Sequence, residues 1–219
     1  MGKNEKLEDM AEVSRQRGHV YGLLATIYHG EPDADLIRQL RDPEFQDVLS
    51  GLGVELDADF FGLPEEKIAE DLAVEYARLF LGPGQHISPH ESVHLTEKEG
   101  EGLLWGEVTV EVKRFIETSG FEYRTDYNGM PDHISVEFEF MQELAEQEAQ
   151  AWEEKAGDGA RHCLKIQKRF LEEHLVPWVP HFCDEVIKNA EVSFYRELAK
   201  LTRSFIEFEG EEDRYGKIL

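Results

Sequence analysis

Basic residues are scarce in this chain. Its 219 residues carry 23 Lys and Arg against 47 Asp and Glu, for a formal net charge of −24. Proteins grip a phosphate backbone through clustered cations that release counterions, so nucleic acid is a disfavoured partner. The same field repels an anionic membrane surface and attracts a basic partner. Cysteine is scarcer still. Cys163 and Cys183 form neither a CxxC pair nor a disulfide framework, and they read as reduced, partly buried thiols. No window approaches the roughly 18 continuous apolar residues of a membrane helix. The opening residues place Lys3 and Lys6 before no apolar stretch, which is not a secretory pattern. The expected compartment is the cytoplasm. Gly82-Pro83-Gly84 lacks a following Gly-Lys-Ser/Thr, and no Gly-x-Ser-x-Gly is present. Neither a phosphate loop, and hence a guanine nucleotide, nor a serine nucleophile finds support.

What is present is apolar, aromatic and helical in period. Hydrophobic residues make up 41% of the chain, including 13 Phe and 7 Tyr, which excludes a disordered acidic tail. Val20, Leu23, Leu24 and Ile27 recur on one helix face, with Tyr21 and Tyr28 beside them. Ile68, Leu72, Tyr76, Leu79 and Phe80 form a second stripe after Pro64. Val108, Val112, Phe115 and Ile116 form a third, and Ile134, Phe138, Met141 and Ala145 a fourth. Phe194, Leu198, Leu201 and Phe205 form a fifth. Asp42-Pro43 places a capping carboxylate before a proline at the first helical position. Pro177 and Pro180 interrupt what would otherwise be one helix from about 159 to 189. Strict period-two alternation over a strand length is missing, so the expected fold is all-α, with residues 1–219 as one globular multi-helix domain. Two gaps read as loops, 82–106 and 120–130, the second containing the turn pair Asn128-Gly129. Residues 131–159 hold nine acidic residues against Lys155 alone, a pattern that suits a solvated helix face.

Two constellations are candidates for chemistry. His86, His90 and His94 are spaced four apart, and Glu91-Ser92-Val93-His94 has the E-x-x-H form. Pro89 sits inside that run, so the three histidines do not share a regular helix face. A di-metal bundle would also require a second E-x-x-H. In the other constellation, Asp132 and His133 stand four or five residues before Glu137. On a helix beginning near Pro131, His133 and Glu137 are neighbours on one flank, and Asp132 is placed to cap it. A His–carboxylate pair suits acid–base work or metal ligation; a capped helix start is the plainer alternative.

Three stretches together resemble a known family. They are Glu75-Tyr76-Ala77-Arg78-Leu79-Phe80-Leu81-Gly82-Pro83 running into Pro89-His90-Glu91-Ser92, then Met130-Pro131-Asp132-His133 through Met141, and Phe170 through Phe182 with Trp178-Val179-Pro180. In order and spacing the chain is similar, over about 12–205, to the TorD/DmsD redox-enzyme maturation chaperones, with NarJ as a more distant relative. The resemblance implies an all-helical, non-enzymatic protein without a cofactor. Its implied partners are the twin-arginine signal peptide and the apo-form of a molybdopterin oxidoreductase catalytic subunit, held back from export until cofactor insertion. Carried over by position, the peptide-binding residues would be Tyr76, Leu79, Phe80, Pro89, Asp132 and His133, with Glu91, Ser92 and Glu137 matching the surrounding motif. Asp132 and His133 would sit at the mouth of the groove. Leu79 suits core and groove equally, whereas Tyr76, with its polar tip, suits the groove. Asp132 is expected to pair with a guanidinium. A His133 near its ordinary pKa would modulate that contact around neutrality. The competing class is a metal-dependent helical enzyme using His133, Glu137 and the histidines of the first loop. A third reading is an assembly module whose partner is the mature enzyme. Both a monomer and a domain-swapped dimer fit the long loops.

Overall fold

The structure is a computed structural model and describes residues 3–82, 86–96, 106–121 and 129–211. Along the chain run α1 (Lys3–His29), α2 (Ala34–Leu40), α3 (Pro43–Gly51), α4 (Ala58–Gly62), α5 (Glu65–Tyr76) and α6 (Glu91–Thr96). They are followed by α7 (Glu107–Thr118), α8 (Ile134–Glu153), α9 (Gly157–Phe170), α10 (Val179–Asn189) and α11 (Ser193–Glu209). Two π turns, Ala77–Leu81 and Leu171–Leu175, extend α5 and α9. The described residues are all-helical, with one isolated antiparallel bridge between His90 and His133. None of these helices is long and apolar enough to cross a membrane. The chain divides into two compact units, each assembled from separate stretches.

The first unit comprises 1–29, 90–178 and 207–219. Its spine is α1 packed along α8, with α9 also packed against α8. Tyr21, Leu24 and Tyr28 are buried against a face that includes Phe138, Met141 and Ala145, and both tyrosine rings lie about 6 Å from Phe138. The two helices approach closely at Gly22, where a Cβ would come within 2.7 Å of the Gln142 side-chain amide and make that flexible group swing aside. Phe115, Phe140 and Phe170 form an edge-to-face triad with centroids 4.8 to 6.2 Å apart, a geometry worth about 0.5–1.5 kcal/mol per pair beyond area burial.

A charged network crosses this apolar interior. Arg17 donates to Glu209 at 2.9 and 2.7 Å, to Glu148 at 3.0 Å and to Gln167 at 2.7 Å. Ser14 and Trp152 also donate to Glu148, at 2.7 and 3.0 Å. One guanidinium therefore joins α1, α8, α9 and the last residue of α11.

The second unit comprises 30–89 and 179–206. Asp33, Asp42 and Asp57 each accept a backbone N–H at the start of α2, α3 and α4, at 2.8, 2.9 and 3.0 Å, as the sequence implied for Asp42. The stripe from Ile68 to Phe80 is buried throughout. Tyr76 and Phe80 meet edge to face at 5.0 Å, and Tyr195 donates its hydroxyl to the Leu72 carbonyl at 3.0 Å. Glu75 accepts two N–H groups from Arg78, at 2.7 and 2.8 Å, and the Glu191 amide at 2.6 Å. Burial works against ionising Glu75, but these donors outweigh it and hold its pKa below the ordinary value. The prolines behave as read: Pro43 opens α3, and Pro177 lies in the turn before α10, whose second residue is Pro180.

The first predicted loop requires correction. Within 82–106 the chain forms a helical turn and a half, α6, and residues 83–85 and 97–105 of that segment lie outside the described residues. The start of α6 is capped from forty residues away. Asp132 accepts the Glu91 amide on its backbone carbonyl at 3.0 Å and the Ser92 amide on its carboxylate at 3.1 Å. Local pattern carries no trace of such a cap. Of the second predicted loop, residues 122–128, including Asn128, also lie outside the described residues.

Candidate functional site

The nine residues singled out from sequence fall into two groups. Tyr76, Leu79, Phe80 and Pro89 belong to the second unit; Glu91, Ser92, Asp132, His133 and Glu137 belong to the first. Within the second unit, Tyr76, Leu79 and Phe80 are 4%, 2% and 3% exposed. They sit where α5 passes into its π turn, and Phe80 stacks on Phe182 at 6.0 Å. All three therefore contribute to the core, Tyr76 included, and Pro89 is buried as well.

The five residues of the first unit converge. His90 to Thr96 forms a strap whose helical part begins at Glu91. Glu91 and Ser92 are 1% and 0% exposed, and Asp132 and Glu137 are 0% exposed. His174, on the π turn after α9, faces the Glu91 carboxylate with Nδ1 at 3.1 and 3.2 Å from its two oxygens. The Glu91 and Glu137 carboxyls are in contact, with Asp132 and the Trp178 indole as further neighbours of Glu137. Burial first, then the adjacent Glu91 charge, pushes Glu137 well above the ordinary carboxylate range. Burial also raises Glu91, against the opposing pull of His174.

His133 has a different role from the one expected. It is the N-cap of α8, accepting the Ser135 amide on Nδ1 at 3.2 Å. The capping role assigned to Asp132 at this helix belongs to His133, because Asp132 is turned onto α6. Burial, then the proximity of His90 and His29, lowers the His133 pKa to about 3. The ring is neutral around pH 7, so the expected modulation by its charge does not operate there.

The histidines of the first loop do not gather with His133 and Glu137 as a metal centre. His86 is exposed in the second unit. The His90 ring meets His133 edge to face at 4.9 Å, and the His94 ring stacks on Trp178 at 5.2 Å. In the E-x-x-H pair, Glu91 is engaged by His174. His133 spends one ring nitrogen on the α8 cap and shows no hydrogen bond to Glu137. Two residues that organise the site, His174 and Ser135, carry no signal of this role in the sequence. His174 is 83 positions from its partner Glu91, a separation that no local spacing rule detects.

The described residues thus form a helical scaffold in which buried carboxyls hold the strap and the start of α8 in place. Residues 41–184 match the nitrate reductase delta subunit family. The chain is 24% identical to the chaperone protein TorD of Shewanella pealeana, over 95% of this chain and 94% of that protein. It is 28% identical to the perchlorate reductase assembly chaperone protein of Dechloromonas aromatica, over 95% of each. The fold is similar to a crystal structure from Archaeoglobus fulgidus described as a candidate redox enzyme maturation protein. That match has a TM-score of 0.54 and 22% identity, and covers 87% of this chain and 93% of the other. The chain belongs to the nitrate reductase delta subunit family and, within it, to the TorD/DmsD redox-enzyme maturation chaperones, which are not enzymes.

Proposed function

We propose that this chain is a cytoplasmic chaperone that binds the twin-arginine signal peptide of a molybdopterin oxidoreductase and holds the apo-enzyme until its cofactor is inserted. The observation that carries this reading is the family match across 41–184, joined by relatives named as chaperones that align over nearly the whole of both chains. Charge supports it independently. A twin-arginine leader is basic followed by moderately apolar, and a chain with net charge −24 draws such a segment by long-range attraction. Tyr76, Leu79, Phe80 and Pro89 are proposed to give the peptide's apolar part its shaped surroundings. Glu91, Ser92, Asp132, His133 and Glu137 are proposed to act mainly by fixing the strap and the start of α8. Their burial argues for positioning rather than for standing ready as surface ligands.

The leader and the mature enzyme are separable as partners. Pull-down with an intact client precursor is expected to recover the complex, and deletion of the leader is expected to abolish most of it. Equal recovery of the leaderless client would replace this reading with that of an assembly module for the mature enzyme.

A further inference from the structure

Glu137 lies in the first turn of α8 with no exposed surface, and neither of its carboxyl oxygens has a hydrogen-bond donor at bonding distance. The groups facing it come from three other places: Glu91 on α6, Asp132 in the turn before α8, and the Trp178 indole after the second π turn. His174 Nδ1 faces both oxygens of Glu91. Asp132 accepts the Ser92 amide on one oxygen and has no donor on the other. Among the described residues no lysine or arginine pairs with any of the three carboxyls; the ring facing Glu91 is that of His174.

Two touching carboxylates shielded from water do not both ionise. A single proton resolves the conflict, because it turns one acceptor-only group into a donor for the other. The position of His174 decides which group holds it. Glu91 has the imidazole Nδ1 against its oxygens and is the carboxylate, whereas Glu137 has no imidazole beside it and is the acid. We propose that Glu137 is a buried carboxylic acid hydrogen-bonded to the Glu91 carboxylate, and that this shared proton is a latch fastening the His90–Thr96 strap within the first unit.

The direction of the pH effect follows. Glu137 holds its proton more tightly in the folded than in the unfolded chain. The latch therefore contributes fully below the unfolded carboxylate pKa and is lost as pH rises toward the raised folded value. Across that window the unfolding constant attributable to this group grows about tenfold per pH unit. At its upper end two facing carboxylates push the strap away from α8.

The test needs no client, so it stands or falls separately from the signal-peptide reading. Urea unfolding of the full chain is compared with Glu137→Gln, an isosteric amide that donates without titrating. The two are expected to match near about pH 5, and the variant is expected to become the more stable as pH rises, the gap widening about tenfold in unfolding constant per unit. Hydrogen exchange at the Glu91 and Ser92 amides, corrected for intrinsic rate, is expected to accelerate with pH in the parent chain alone. The infrared carbonyl band of a protonated carboxylic acid is expected at pH 7 in the parent and is expected to change in Glu91→Gln, which alters its partner. Parallel pH profiles, or failure of Glu137→Gln to fold at low pH, would overturn the latch. So would the absence of a carboxylic acid band that responds to Glu91→Gln.

Discussion

Arg17 shows how much one side chain carries in this interior. It is 6% exposed and donates to two carboxylates, Glu148 and Glu209, themselves 2% and 0% exposed. A buried ion pair gains little over well-packed apolar residues, but removing one member leaves the other charge uncompensated. Arg17→Ala strands two carboxylates at once, and the expected loss is about 3–5 kcal/mol of unfolding free energy, measured by urea denaturation. Arg17→Lys is expected to fall between, because an ammonium is a point charge without the planar fork that reaches Glu148, Gln167 and Glu209 together. Nothing around Arg17 in the sequence announces this role. Its partners lie 131, 150 and 192 positions away, and a lone arginine on an amphipathic helix reads as a surface residue until the opposing helices are in place.

At the scale of elements, the strap is held by a cap that its own sequence lacks. Helix α6 has six residues, too few to be stable alone, and Asp132 satisfies its first two amides. Asp132→Ala removes the carboxylate but keeps the backbone carbonyl, so the expected cost is about 1 kcal/mol with faster hydrogen exchange at Ser92. Asp132→Asn retains an acceptor for the same amide and is expected to stay close to the parent on both measurements. Sequence pattern resolved the long elements well. The stripes at 68–80 and 134–145 are buried faces, and the Asp42-Pro43 start is a real cap, because helix period and local capping are properties of neighbouring residues. It did not resolve α6, whose cap is remote, or the π turns, where the chain widens after Tyr76 and Phe170 without any glycine or proline to mark the change. It also gave Asp132 the cap of α8 that belongs to His133. Both side chains offer an acceptor at the right offset, and only the position of α6 draws Asp132 away from α8.

At the scale of the whole molecule, the two units are interleaved along the chain, so each is assembled from stretches that the other separates in sequence. The family was legible from motif order because those motifs coincide with residues that hold the fold: Glu75 and Arg78 fasten the second unit, while Glu91, Asp132 and His174 fasten the strap of the first. Binding chemistry was less legible, since the same carboxyls that suit an arginine ligand also suit a buried cap or a shared proton, and burial distinguishes them. Net charge belongs to this scale as well. Exposed carboxylates spread over the surface act through a field screened within about 8 Å at physiological ionic strength, which governs encounter more than the final contacts. The central claim is that this field and the residues behind it serve a basic leader. Calorimetric titration with a twin-arginine signal peptide tests it most directly. The account predicts saturable binding at about micromolar or tighter affinity, near −8 kcal/mol, that weakens as salt rises and is largely lost when both peptide arginines are replaced by glutamine. Absence of binding at low salt, or equal binding of the glutamine peptide, would contradict it.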